Sequence, residues 1–70
     1  MGQVRAEMAG KVIQVCVSVG DTVAEDQDLI IFESMKMQIP VGSPEEGTVA
    51  KVHVAPDQFL NEGDPIIDLA

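Results

Sequence analysis

Seventy residues, a formal net charge of −8 and a hydrophobic fraction of 46% describe one small acidic domain, residues 1–70. A chain of this size buries only about 60% of its unfolded surface, which leaves room for a core but not for a walled catalytic cleft. Its four basic residues, Arg5, Lys11, Lys36 and Lys51, stand singly, and Phe32 and Phe59 are its only aromatics; the basic stripe and stacking platform that nucleic acid needs are both missing.

No apolar run approaches the length of a membrane span or of a signal peptide's hydrophobic region, so no membrane partner and a cytoplasmic location are expected. Met1-Gly2 opens like an N-myristoylation motif, but Ala6 occupies the position where that motif needs Ser or Thr. Cys16 is the only cysteine, which excludes an internal disulfide and agrees with a reducing compartment.

Read in chain order, the sequence repeats itself. A shift of 37 residues lays Gly10–Val17 over Gly47–Val54, and then sets Val23 on Leu60, Glu25 on Glu62, Leu29 on Ile66, Ile30 on Ile67 and Phe32 on Leu69. Each half predicts a long strand opened by glycine, a turn at Gly20-Asp21 or Pro56-Asp57, and a short strand. A second turn follows at 25–28 or 62–65, and then a closing apolar strand. Valine and isoleucine dominate these runs, which favours strands over helices. Two copies are too few for a solenoid. The expectation is all-β: a small antiparallel sandwich with approximate two-fold symmetry.

Between the halves lies Glu33-Ser34-Met35-Lys36-Met37. Ile30 and Phe32 alternate inward before it, and Met37, Ile39 and Val41 alternate after it, which leaves Met35 and Lys36 as the central residues of a tight hairpin. Spacing alone equally allows a continuous strand with a snorkelling lysine. A hairpin here breaks a local rule, because two-residue turns favour Asn-Gly or Asp-Gly, whose central positions take positive φ. Such a break is where function is to be sought.

Met8-Ala9-Gly10, Val19-Gly20-Asp21, Leu29 to Phe32, Glu33 to Pro40 and Asn61-Glu62-Gly63-Asp64 together resemble the biotinyl/lipoyl domain family, most of all the short biotin/lipoyl attachment proteins and biotin carboxyl carrier subunits. The resemblance covers nearly the whole chain and selects the hairpin. It implies a barrel-sandwich hybrid, a flattened eight-strand sandwich with the attachment lysine on a β-turn at one end and the termini at the other. Asp26 stands where the family usually has glycine, Asp57-Gln58 replaces a Gly-Asp turn, and Ser34 replaces a common alanine. These changes bear on turn stability rather than on the fold.

The resemblance further implies a function. Biotin would be covalently attached to the Lys36 amine by biotin protein ligase. A biotin carboxylase would load it with a carboxyl group, and a carboxyltransferase would pass that group to an acceptor. The domain would be a non-catalytic carrier subunit, with Glu33, Ser34, Met35 and Met37 as recognition residues and no metal. Lipoate on the same lysine is the alternative cofactor, in a lipoyl carrier or in an attachment protein that accepts both, although lipoyl domains usually present Asp-Lys-Ala there. A third reading is a module used only for protein contacts, which has no need of a lysine at the tip. Cys16 and His53 resemble a nucleophile and base only superficially, because the repeat makes them equivalent positions in opposite halves. Glu45-Glu46 and the acids at 25–28 lack the ligand spacing of a calcium loop and read as solvated turn charges.

Overall fold

The computed structural model describes residues 2–70, and among them every regular element is a strand. They are β1 (Gly2–Arg5), β2 (Gly10–Val15), β3 (Thr22–Val23), β4 (Asp28–Ser34), β5 (Met37–Gly42), β6 (Gly47–Val52), β7 (Phe59–Leu60) and β8 (Pro65–Leu69). The strands form two four-stranded antiparallel sheets, ordered β1-β8-β6-β3 and β5-β4-β2-β7. Advancing every strand by four turns the first order into the second, which is the two-fold relation expected from the repeat. No described helix is long and apolar enough to cross a membrane.

The core follows the same symmetry. Val12 and Val49, Val17 and Val54, Val23 and Leu60, Leu29 and Ile66, Ile30 and Ile67, and Phe32 and Leu69 are all buried. Strict alternation would bury only one of Leu29 and Ile30. The register of β4 on β5 slips between Asp28 and Ile30, and that of β8 on β1 slips at the matching place between Arg5 and Val4. Each bulge adds one residue to the apolar strand, so two consecutive side chains reach the interior. A second symmetric pair of bulges, between Val12 and Gln14 and between Val49 and Lys51, leaves Ile13 partly exposed.

The loops repeat as well. Gly20 donates to the Val49 carbonyl and Val49 to that of Asp21; 37 residues on, Asp57 donates to Val12 and Val12 to Gln58, each at 2.8 Å. Four tight turns, at 18–21, 24–27, 55–58 and 61–64, close with a backbone hydrogen bond from the fourth residue to the first. In each, the third residue has positive φ: Gly20 at 95°, Asp26 at 68°, Asp57 at 72° and Gly63 at 90°. That is type II geometry, which favours glycine at the third position. Every symmetric pair of turns contains one glycine and one aspartate, so the two departures from family glycine fall on equivalent demands of the backbone and are met by a residue that tolerates the left-handed region. The fourth residues brace the turns through their side chains: Asp21 accepts from Ser18 N, Gln27 from Ala24 N, Gln58 from Ala55 N and Asp64 from Asn61 N.

Two sequence expectations need correction. Met37 is not buried; it is 64% exposed, and burial on its face of β5 begins at Ile39. His53 lies one residue beyond β6 rather than within a strand. Its Nε2 is buried and faces Asp68 Oδ2 at 3.0 Å, with no other partner among the described residues. The equivalent Cys16 is an exposed free thiol.

Two tests follow from these contacts. A Cβ on Gly10 would lie 2.5 Å from both the Glu33 carbonyl oxygen and the Phe32 ring. Gly10→Ala should therefore destabilise the domain by about 1–3 kcal/mol, read from the urea midpoint; an unchanged midpoint would show that β2 and β4 can separate at no cost. The second concerns Asp68, whose carboxyl is held below its ordinary value of 3.8 by a hydrogen bond from Gln3, then by His53, and to a lesser degree by the charge of Lys51. A folded-state value below the unfolded one gives stability that is full above the unfolded value and fades as pH falls through the folded one. Asp68→Asn should thus lower Tm near about pH 6 and make little difference near about pH 2. An equal Tm difference at both pH values would remove this linkage.

Candidate functional site

Strands β4 and β5 pair from Asp28↔Gly42 to Ser34↔Met37, and only Met35 and Lys36 lie between them. Both have positive φ, 53° and 65°, which is the type I′ turn whose twist matches that of the flanking strands. Neither residue favours this conformation, which costs a residue with a Cβ roughly 1–2 kcal/mol. The hairpin holds because its base is fixed on two sides. Ser34 Oγ donates to the Ala9 carbonyl at 2.8 Å, tying the turn to the β1–β2 loop, and Gly10 lets β2 lie directly against Phe32 and Glu33.

The tip and the termini lie far apart. Gly2 pairs with Leu69, and Ala70 N donates to Thr48 O, so the described chain ends meet on one sheet. β1 then leads away from them, and four residues beyond its end Ala9 receives Ser34. In a body of 30 × 17 × 17 Å, this puts the hairpin at one end of the long axis and the chain ends at the other.

The five motif residues are brought together as the sequence predicted, and each is set differently. Met35 is 90% exposed and Met37 64%. Glu33 is exposed and pairs across the sheet with Lys11 and Gln38. Ser34 is half-buried and has the structural bond just described. Lys36 is exposed, and among the described residues its amine has no hydrogen bond or ion pair. Of the other cations, Arg5 donates to Gly63 O and Lys11 lies 3.7 Å from Asp57, whereas Lys51 on β6, like Lys36, has no hydrogen bond or ion pair among the described residues. Sequence reasoning did not identify Ala9 and Gly10 as supports of the tip. The signal was available in the glycine that opens each half and in the hydroxyl of Ser34 where alanine is common in the family.

Chemically, a primary amine on a rigid, solvated turn is suited to acylation by a carboxylic acid. No described side chain holds its amine in a hydrogen bond or ion pair, and the long side chain adds reach beyond a turn braced by Ser34. Among the described residues no group of three or more His, Cys, Asp or Glu side chains is placed to hold a metal ion. The tethering carboxyl of biotin or of lipoate fits such an amine.

The fold and the tip define a class: a two-fold β sandwich with one lysine on the turn of its end hairpin. The chain belongs to the family described as biotin-requiring enzyme, which matches residues 2–69. It is 52% identical over 66 residues to mitochondrial pyruvate carboxylase of Mus musculus, covering 94% of this chain and 6% of that protein. It is 39% identical over 67 residues to the biotin/lipoyl attachment protein of Bacillus subtilis, covering 96% of this chain and 92% of that one. Among solved structures it superposes on the urea carboxylase of Kluyveromyces lactis with a TM-score of 0.92 at 26% identity, covering 99% of this chain and 6% of the other. The chain thus spans a small part of the large carboxylases and nearly all of the short attachment protein.

The strain at the turn can be measured. Replacing Met35 with Asn and Lys36 with Gly gives the pair that a type I′ turn prefers, and should raise stability by about 1–2 kcal/mol. Chemical denaturation reads this directly. Lower or equal stability would mean that the two native residues bear no strain.

Proposed function

We propose that residues 1–70 form a single biotin carrier domain with Lys36 as the attachment residue. The observation that carries the reading is the unpartnered Lys36 amine on a strained turn between two exposed methionines, in a chain whose relatives include carboxylases. Biotin, once amide-linked there, supplies a ureido nitrogen that accepts a carboxyl group at one enzyme and gives it up at another.

The chain's own residues do the mechanical work. Ser34, Ala9 and Gly10 hold the turn on which Lys36 stands exposed. Attachment to a rigid body raises the local concentration of the carried group at each enzyme that binds the domain. Met35 and Met37 offer adaptable, non-ionising surface to biotin protein ligase, and later to a biotin carboxylase and a carboxyltransferase. The domain contributes no catalytic group and is inert alone. An exposed free Cys16 suits a reducing, cytoplasmic compartment. Lipoate on Lys36 is the second reading, favoured by the Bacillus relative whose name covers both cofactors.

Intact-mass analysis of the protein made with biotin protein ligase should show one biotinyl increment, located on Lys36 by peptide mapping. Lys36→Arg should abolish it without loss of fold. Biotin on Lys11 or Lys51 would overturn the assignment, and a lipoyl increment in the natural host would replace the first reading by the second.

A further inference from the structure

The two halves of the chain act as controls for one another. Most buried core positions have a buried partner 37 residues away, Val4 with its half-buried partner Val41 being an exception. On the outer face this equivalence breaks at Phe59, which is 62% exposed on edge strand β7. Its counterpart in the other half is Thr22, equally on an edge strand, paired with Thr48 as Phe59 is paired with Lys11. Threonine satisfies that fold position, so packing does not account for the phenylalanine. Met8, 43% exposed beside the hairpin, similarly corresponds to Glu45 near the chain ends. Among the described residues, four of the six large exposed hydrophobics, Met8, Met35, Met37 and Phe59, lie towards the Lys36 end.

Cross-strand register shows where Phe59 stands relative to the tip. Gln38, Glu33, Lys11 and Phe59 form one row across the four strands of a sheet, all on its outer face. Strands are spaced about 4.8 Å apart, so Phe59 is about 10 Å from Glu33 across the sheet. A specific interface covers about 800 Å² on each partner, a disc of about 16 Å radius. An enzyme centred on Lys36 therefore covers this row.

We propose that Phe59 is a docking anchor for the enzyme that acylates Lys36, an inference that rests on the carrier reading above. The partner of this face has an apolar recess for the ring, flanked by basic side chains. Exposed aromatics of this kind dominate binding energy when a partner desolvates them. The basic flank follows from charge: the row includes Glu33, Asp57 lies beside Lys11 at 3.7 Å and is itself 85% exposed, and the whole chain carries −8. Complementary charge of that sort speeds encounter and weakens with salt.

The test uses purified biotin protein ligase with biotin and ATP, and the chain as the varied substrate. Phe59→Thr, which places the other half's residue on β7, should raise KM about tenfold with little change in kcat. Thr22→Phe, at the equivalent position, should leave both constants unchanged. Lys36→Arg protein, which cannot be acylated, should compete with the parent, and adding Phe59→Thr to it should weaken that competition by about the same factor. Phe59→Leu keeps an aliphatic surface on β7 and should raise KM while Tm stays at the parent value, which separates docking from loosening of the strand. Constants within twofold of the parent for Phe59→Thr and Phe59→Leu, or an equal rise for Thr22→Phe, would overturn the proposal. Failure of the carrier reading is distinct: the parent itself would then remain unacylated.

Discussion

Neither half of this chain completes a four-stranded sheet without the other. β1 and β3 complete a sheet whose centre is β6 and β8, while β5 and β7 complete the one centred on β2 and β4. The exchange is sealed by backbone bonds in which Val49 takes and gives hydrogen bonds with the 20–21 turn, and Val12 does the same with the 57–58 turn. Because each half lends two of its four strands to the other's sheet, the domain resists partial opening, and a body of 70 residues acquires rigidity that its small core alone would not supply.

That rigidity is what the hairpin uses. Met35 and Lys36 have left-handed backbone without the residues that favour it, and such strain persists only where the surroundings over-determine the conformation. Here the surroundings are specific: a hydroxyl on the Ala9 carbonyl and a glycine under the Phe32 ring. Local preference was given up at two positions so that a methionine and a lysine could occupy a tip that Asn-Gly would form more easily. The rest of the fold has no such conflict except at Asp26 and Asp57, where aspartate stands in a glycine conformation.

Much of this is legible from residues 37 apart. The repeat identifies the paired core residues, the turns and the strand order of each half, since buried side chains and turn chemistry both leave marks in sequence. The hairpin itself is not forced by spacing; resemblance to a family decides it against a continuous strand. Bulges are invisible, because an extra residue in a strand looks like any other, and so nothing in the alternation announces that Leu29 and Ile30 are buried together. Alternation also turns Met37 inward, but so close to the end of the sandwich no opposing sheet covers it. His53 gives no hint of Asp68, since a contact across neighbouring strands depends on register.

On the carrier reading proposed above, the exposed cation at the tip would also make the domain report its own state. Lys36 is one of four positive charges against twelve negative ones, and Glu33, the acid within the motif, already has Lys11 opposite it across the sheet. Forming an amide at Lys36 removes a charge that no carboxylate had neutralised, and one positive charge fewer takes the chain from −8 to −9. Before that event an approaching surface meets a positive point within an acidic field; afterwards that point is gone. The two forms would differ by one unit of net charge, and so in electrophoretic mobility.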